Sequence, residues 1–255
     1  MDKDEAIVLL SGEFGKQLLR GVMNYTTPVS WGIIETGIWK IHGNGTAFLL
    51  NCGQDSFLVT AAHVYEGYLD AQKKYPQLRS YVGDIEFCFT DRLICHLGSS
   101  ILDIVTFRIT TDEIARLKKQ VAYGSSDWLR PVVEHDGVLF GGYPGKERNQ
   151  RLPEEVNFGM YVGLTPASSS SERHFGCVLE HDEWIDAIGN GIPQEGYDLG
   201  GVSGGPAFRV HENEIGIITW TIAGVIYNAS SVLADIVLCN HIHFVKPDGT
   251  LSAPA

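Results

Sequence analysis

One serine in this chain stands in a setting that suits covalent catalysis. Ser203 lies in the segment Gly201-Val-Ser-Gly-Gly-Pro206, where the glycines leave room for a substrate carbonyl and backbone N–H groups can face it. A serine hydroxyl is a weak nucleophile on its own, so it needs a base and a group that orients this base. The segment therefore directs attention to a histidine and an acid elsewhere in the chain.

Two upstream motifs offer these groups. Thr60-Ala-Ala-His63 follows an apolar run, and Asp103 lies at the start of the alternating apolar stretch Leu102–Ile109. A histidine can accept the serine proton, and an aspartate can hold the imidazole in the required orientation. Ser203, His63 and Asp103 thus form a candidate Ser-His-Asp triad, and they occur in the chain order His, Asp, Ser.

This order and its three local contexts resemble the chymotrypsin/trypsin-like serine protease superfamily, in its bacterial style. The resemblance covers about residues 30 to 250. It implies an all-β fold of two antiparallel six-stranded β-barrels with the active site in the cleft between them. It also implies serine endopeptidase activity through an acyl-enzyme, without cofactor or metal, and an oxyanion hole made by the backbone N–H groups of Gly201 and Ser203.

Two other interpretations compete with this one. Gly-x-Ser-x-Gly also matches the nucleophile elbow of α/β-hydrolases, but that motif requires a following helix and a downstream acid and histidine. Here Pro206 and a β-prone segment follow the serine, and the Thr60–His63 motif would stay unexplained. The second alternative is a catalytically silent trypsin-like pseudoprotease that acts as a protein-binding module, because a fold does not fix a function.

Two positions depart from the usual pattern of the superfamily. Secreted relatives usually carry a cysteine directly after the catalytic histidine, where this chain has Val64. Relatives activated by cleavage carry an aspartate before the serine that pairs with the new amino terminus, where this chain has Val202. An apolar side chain cannot form that ion pair. We therefore expect the site to form without N-terminal cleavage.

The resemblance places the substrate-binding residues in two segments. The first is 195–199, just before the serine; trypsin-like enzymes place an acid six residues before it, where Tyr197 stands here, and Asp198 follows one position later. An acid in this segment could favour a basic substrate side chain. The second segment would pair with an extended substrate backbone as an added strand, and it contains Tyr227, Asn228 and Ala229.

Composition limits the classes of partner. The chain has 31 acidic and 19 basic residues, a formal charge of −12 and no Lys/Arg-rich run, so nucleic-acid binding is not expected. No apolar stretch has the length of a membrane span, and neither a signal peptide nor an anchor is evident. The five cysteines lack metal-ligand pairs and are predicted to be core residues. We expect a cytoplasmic protein with a protein or peptide substrate and no membrane partner.

His241 and His243 form the one further pair that could hold a metal. They share a strand face at a period of two, but the sequence offers no third ligand near them. Such a pair more often packs or is solvated, so no metal site is predicted.

An amphipathic helix is predicted ahead of the protease-like part, over residues 4 to 24. Apolar residues recur there at intervals of three and four. Three glycines in this stretch lower its helix propensity. We expect the helix to pack against a barrel or to bind a regulatory protein. Its predicted contact face consists of Ile7, Leu10, Phe14 and Leu18.

Short β-like runs separated by Gly, Asn and Asp make up most of the remaining chain. A capping box at Thr110–Glu113 predicts a short helix between two β units, and the polar segment 146–153 is predicted to be a mobile loop. The predicted organisation is a helical extension over residues 1–29, a first β-barrel over 30–125 with His63 and Asp103, and a second β-barrel over 126–255 with Ser203.

Overall fold

The computed structural model describes residues 8, 10–53, 55–124, 130–153, 155–186, 191–194, 196–212, 217–230 and 235–254. The chain is mostly β, with two curled antiparallel sheets that each form a half-barrel and a helix near the amino terminus. The predicted all-β, chymotrypsin-like double-barrel fold with an N-terminal helix is therefore confirmed. The boundary predicted near residue 125 lies outside the described residues.

The first sheet has the strand order β5-β4-β1-β2-β3-β7-β6, and β8 pairs in parallel with β2. Its strands are β1 (Thr26–Glu35), β2 (Ile38–Asn51), β3 (Ser56–Thr60), β4 (Arg79–Val82), β5 (Ile85–Glu86), β6 (Leu93–His96), β7 (Val105–Arg108) and β8 (Val121–Tyr123). The long strand β2 lies centrally and pairs with β1, β3 and β8.

The second sheet has the order β12-β9-β15-β16-β17-β14-β13. Its strands are β9 (Gly137–Gly142), β12 (Tyr161–Pro166), β13 (Ser169–Ser170), β14 (His174–Val178), β15 (Pro206–Glu212), β16 (Ile218–Ser230) and β17 (Ile236–His241). Within the described residues the sheets hold eight and seven strands rather than six each. The additions are short, because β5, β8 and β13 have only two or three residues.

Four α-helices interrupt the first half of the described chain: α1 (Glu13–Tyr25), α2 (Ala62–Lys74), α3 (Phe89–Arg92) and α4 (Thr111–Leu117). Helix α4 begins at the predicted capping box, in which the Thr110 hydroxyl and the Glu113 backbone and carboxylate bond reciprocally. Helix α2 was not predicted from the sequence, although its buried residues have helical spacing. These are Ala62, Val64, Tyr65, Tyr68 and Ala71.

Helix α1 covers the later part of the predicted helix over residues 4 to 24, and the described residues 8, 10 and 11 ahead of it are also helical. It begins after Gly12, whose backbone is extended and which favours a helix boundary over a helix interior. Leu18 and Val22 are buried in a core that also contains residues of both sheets, such as Phe48 and Phe208. The helix therefore packs against the sheets, which is the first of the two roles predicted for it; the second is binding of a regulatory protein. Ile7 of the predicted contact face lies outside the described residues, whereas Leu10 and Phe14 are half-buried.

The polar segment 146–153 is a β-hairpin arm and not a mobile loop. Strand β10 (Arg148–Leu152) pairs with β11 (Glu155–Phe158). Trp39 at the start of β2 donates its backbone N–H to the Pro153 carbonyl at 2.7 Å, which ties the hairpin to the first sheet. Sequence composition alone gave no sign of this cross-sheet bond.

The cysteines divide into three groups. All five are free; Cys177 and Cys239 are buried as predicted, Cys52 and Cys95 are half-buried, and Cys88 is exposed on the turn before α3. Among the described helices, none is long and apolar enough to span a bilayer.

Candidate active site

His63 and Asp103 form a close pair at the end of the first sheet. His63 lies in the first turn of α2, directly after β3, and its Nδ1 is 2.7 Å from Asp103 Oδ2. The His63 backbone N–H donates to Asp103 Oδ1 at 2.9 Å. Both Asp103 carboxylate oxygens are thus bonded to the same residue, His63. With the Nδ1 proton directed at the carboxylate, Nε2 carries the lone pair that a general base needs.

Exposure divides the two side chains. The Asp103 side chain is only 10% exposed, whereas that of His63 is 41% exposed. A largely buried carboxylate is stable only when it is hydrogen-bonded, and His63 supplies that partner. Thr60 pairs with Val105 across β3 and β7, and this register places His63 beside Asp103.

The Glu66 carboxylate, which was not predicted from the sequence, stabilises the elements that carry His63 and Asp103. Glu66 lies one turn after His63 on α2, and it accepts hydrogen bonds from the Ser99 backbone N–H at 2.9 Å, the Ser99 hydroxyl at 2.6 Å and His96 Nε2 at 3.0 Å. Burial acts to raise the pKa of Glu66, but the bonds from Ser99 and His96 bring it below its ordinary value. Glu66 therefore ties the helix that carries His63 to the turn that leads to Asp103.

Ser203 is carried on a tight loop between the sheets. Thr46 of β2 donates its N–H to the Ser203 carbonyl at 2.9 Å. Gly204 has φ +88°, and a Cβ there would lie 2.0 Å from the Thr46 carbonyl oxygen and 3.0 Å from the Ala61 nitrogen. Only glycine allows both this φ and this approach. The loop therefore packs against Ala61, which follows β3 and lies two residues before His63.

The serine and histidine side chains are not bonded to each other. Within the described chain, Ser203 Oγ makes no hydrogen bond with His63 Nε2. The backbone contacts of the Ser203 loop with β2 and Ala61 bring the two motifs to the same end of the sheets. Catalytic hydrogen bonds are often long before substrate binds, so this geometry is compatible with a base and its nucleophile.

The backbone N–H groups around Ser203 show an alternating pattern. Four of them are bonded. Gly200 donates to Asp198 Oδ1 and Val202 to the Leu199 carbonyl, while Gly204 donates to the Ile226 carbonyl and Gly205 to the Val202 carbonyl. In the described part of the chain, the N–H groups of Gly201 and Ser203 have no such acceptor. These are the two groups that the sequence analysis named for an oxyanion hole. Two free donors on one loop can bind a developing negative charge.

Val202 lies beneath these donors in an apolar cluster. It is fully buried, and its atoms pack against Gly142, where a Cβ would lie 2.8 Å from Val202 Cα. These hydrophobic surroundings agree with the prediction that the Val202 side chain does not pair with an amino terminus.

We expect Val202→Asp to lower the free energy of unfolding by about 3–5 kcal/mol, because it buries a charge with no partner. Urea denaturation of both proteins measures this change. Val202→Thr is the control, since it keeps the shape and adds only a neutral hydroxyl, with an expected loss of about 1–3 kcal/mol. Equal stability of Val202→Asp and the original chain would mean that a cation reaches this position.

The segment before Ser203 is aromatic at one position and acidic at the next. Tyr197 stacks on Tyr161 with ring centroids 6.0 Å apart and donates its hydroxyl to Glu147, and Lys146 Nζ lies 4.9 Å from its ring. Burial raises the pKa of Tyr197, and the Glu147 carboxylate raises it further. Asp198 is exposed and accepts the Gly200 N–H. Residue 195 of this segment lies outside the described residues.

The second proposed substrate segment contains a β-bulge. Ile226 pairs with Cys239 and Asn228 with Leu238, so Tyr227 is the extra residue. Bulges re-aim side chains near active sites. Strand β15 pairs with β16 only as far as Val225, so along residues 227–229 only one edge, towards β17, has a strand partner in the described structure.

The two histidines of β17 and the following turn stack on each other. His241 is buried, donates Nε2–H to the Ser171 carbonyl at 3.0 Å and stacks on His243. No group of three or more potential ligands occurs among the residues that the structure describes. The pKa of His241 is lowered to about 4, chiefly by burial; the hydrogen bond to Ser171 acts in the opposite direction, and the neighbouring His243 and His174 contribute to the lowering.

His241 should make stability depend on pH. Its folded pKa of about 4 lies below the ordinary 6.5, so between these values the unfolded chain binds a proton that the folded chain does not. Stability should therefore fall as the pH falls from 6.5 to 4, by roughly 2–3 kcal/mol at about 1.4 kcal/mol per pKa unit. Denaturation of the original chain and of His241→Gln across this range measures the difference. Parallel pH curves would contradict the prediction.

Comparison with known proteins gives a distant likeness. No protein-family model and no curated protein matches the chain. A thermostable serine protease, AL20, from an extremophilic microorganism is similar over 87% of this chain and 92% of its own, with 11% identity and a TM-score of 0.49. A structure on the coupled folding and binding of the Sesbania mosaic virus VPg protein is similar over 87% and 93%, with 12% identity and a TM-score of 0.45. At these values, neither structure indicates the chemistry of this chain.

Proposed function

We propose that this chain is a serine endopeptidase that hydrolyses peptide bonds through an acyl-enzyme. Ser203 Oγ attacks the scissile carbonyl, and His63 Nε2 takes its proton and gives it to the leaving amine. Water then attacks the acyl-enzyme carbonyl, with His63 again as the base, and restores Ser203. Asp103 holds the imidazole, and the N–H groups of Gly201 and Ser203 bind the oxyanion.

One observation carries this proposal. The loop around Ser203 leaves free the N–H groups of Gly201 and Ser203 and engages those of the intervening and following residues. A buried or half-buried N–H is normally bonded, and each exception needs a reason. An anion that forms only during reaction is such a reason. The His63–Asp103 pair at the same end of the sheets supplies the base that this reaction requires.

The substrate we propose is an extended segment of a protein. Residues 227–229 of β16 offer their unpaired edge to such a segment, with Asn228 exposed beside it. Strand addition provides affinity from the backbone and leaves specificity to side-chain sites. The stacked rings of Tyr197 and Tyr161 near this segment favour an apolar or aromatic side chain before the scissile bond.

A second candidate function is that of a catalytically silent pseudoprotease. This candidate accounts directly for the missing hydrogen bond between Ser203 Oγ and His63 Nε2, whereas the first candidate attributes it to the absence of substrate. In that case the open edge of β16 would bind a protein segment without cleaving it.

A fluorophosphonate probe separates the two candidates. We expect the intact 255-residue chain to be labelled on Ser203 without prior cleavage, because Val202 cannot hold a new amino terminus and the N–H groups are already free. Intact mass and peptide mapping of one sample identify both the site and the chain ends. Heat-denatured protein is the control for nonspecific reaction.

Two results would contradict this prediction in different ways. Labelling that appears only after a defined N-terminal cleavage would make the first residues a propeptide. A folded protein that stays unlabelled, yet binds an extended peptide, would establish the pseudoprotease.

A further inference from the structure

Thr46 makes an unusual set of contacts beneath the Ser203 loop. It is fully buried on β2. Its hydroxyl donates to the Gly201 carbonyl at 2.8 Å and accepts from the Tyr143 N–H at 2.9 Å. Its own N–H donates to the Ser203 carbonyl at 2.9 Å. One residue of the first sheet therefore binds both residues whose N–H groups are free.

The Thr46 hydroxyl and the backbone N–H of Gly145 together fix the peptide planes on both sides of Gly201. The Gly200 carbonyl accepts the Gly145 N–H at 2.6 Å. In a planar trans peptide the N–H points away from the carbonyl, so this bond turns the Gly201 N–H in the opposite direction. The Thr46 hydroxyl fixes the next peptide through the Gly201 carbonyl. Gly201 has φ +105°, a conformation that few other residues tolerate, and the two bonds hold it there.

We propose that the Thr46 hydroxyl is a positioning residue that locks the oxyanion loop in its reactive conformation. This inference rests on the proposed function and adds the device that orders the site. Val202 excludes an ion pair with a cleaved amino terminus, so the loop needs another anchor. A neutral hydroxyl bonded to two backbone groups provides one as soon as the sheets pack together.

The chemistry of a hydroxyl suits this role better than that of other buried groups. It donates one hydrogen and accepts another, so a single atom links the Tyr143 N–H to the Gly201 carbonyl. Valine has the same shape but would leave both backbone groups buried and unbonded. The peptide between Gly201 and Val202 could then rotate, which would change the backbone conformation at Gly201. Such rotation affects the transition state more than the bound substrate, because the oxyanion charge develops only there.

The test compares Thr46→Val with Thr46→Ser, which keeps the hydroxyl. We expect Thr46→Val to lower kcat by about tenfold to a hundredfold with little change in KM, less than the loss of a donor itself, which costs about a hundredfold to a thousandfold. Affinity for a peptide boronate should fall by a similar factor. Binding of an uncleaved peptide, measured in the Ser203→Ala background, should stay the same. Thr46→Ser should rescue kcat.

Thr106→Val is the matched control. Thr106 is also fully buried, and its hydroxyl donates to the Gly249 carbonyl at 2.6 Å, away from the Ser203 loop. Thr106→Val should lower the melting temperature. The ratio of the affinity for the peptide boronate to the affinity for the uncleaved peptide should stay the same. Equal kinetic effects of Thr46→Val and Thr106→Val, or a rise in KM alone for Thr46→Val, would overturn the inference.

If Thr46→Val does not fold, Thr46→Cys replaces it, because a thiol is a weaker donor of similar size. A reduced kcat at unchanged KM supports the inference, and wild-type kcat for Thr46→Cys overturns it. The proposed function is tested separately by probe labelling of the unmodified chain. Without labelling, the proposed function and this inference both fail; with labelling but unchanged Thr46→Val kinetics, only the inference fails.

Discussion

Ser203→Ala is expected to lower kcat for peptide hydrolysis by about a millionfold, as loss of the nucleophile does in a known serine protease. The substitution removes only the attacking oxygen and leaves the N–H groups of Gly201 and Ser203 in place. Residual catalysis should therefore exceed the uncatalysed rate by about a thousandfold or more. Hydrolysis of a fluorogenic peptide, followed with highly purified variant, measures the loss.

The fold should be unaffected by this change. In the described chain the Ser203 hydroxyl has no hydrogen-bond partner, so its removal leaves no buried group unsatisfied. The melting temperature should stay within a few degrees. Ser56→Ala is the matched control, because Ser56 lies at the opposite end of β3 from His63. If Ser203→Ala cleaves peptides as fast as the original chain, another residue is the nucleophile.

The triad could be proposed from the sequence because each of its members lies in a short local motif. Asp103 comes just before an apolar strand, and Ser203 lies in the glycine-rich segment Gly201–Pro206. The geometry that joins His63 and Asp103 depends on strand register. Thr60 pairs with Val105 across two strands 45 residues apart in sequence, which no local pattern specifies.

The anchors of the site could not be predicted for the same reason. Thr46 reads as an ordinary strand threonine until β2 packs under a loop 155 residues away in sequence. Glu66 lies in no motif of the sequence, and its role depends on the turn at Ser99, which folds over it. The polar composition after Gly145 predicts a loop, whereas the chain there forms a hairpin whose strands pair outside the two main sheets. Tertiary contacts decide all three cases.

Helix α2 is a different case, because the sequence did contain its pattern. Val64, Tyr65 and Tyr68 occur at intervals of three and four from Ala61, and all are buried. The surrounding β-rich chain obscured this periodicity. Its presence matters for the site, since the first turn of α2 fixes the His63 backbone N–H that binds Asp103.

Asp103→Asn is expected to lower kcat by about ten-thousandfold, and the structure gives the reason. Asp103 Oδ1 accepts the His63 backbone N–H, a donor that cannot change. An asparagine would keep its oxygen at this position and turn its amide NH₂ toward His63 Nδ1. His63 would then accept at Nδ1 and carry its proton on Nε2, the wrong tautomer for taking a proton from Ser203.

The measurement that checks this is kcat for a peptide substrate together with the ¹⁵N shifts of the His63 ring. The shifts should show the proton on Nδ1 in the original chain and on Nε2 in Asp103→Asn. Asp248→Asn is the matched control, because Asp248 only caps the turn at Thr250. A variant with the Nε2 tautomer but undiminished kcat would show that His63 is not the base, since a protonated nitrogen cannot accept the serine proton.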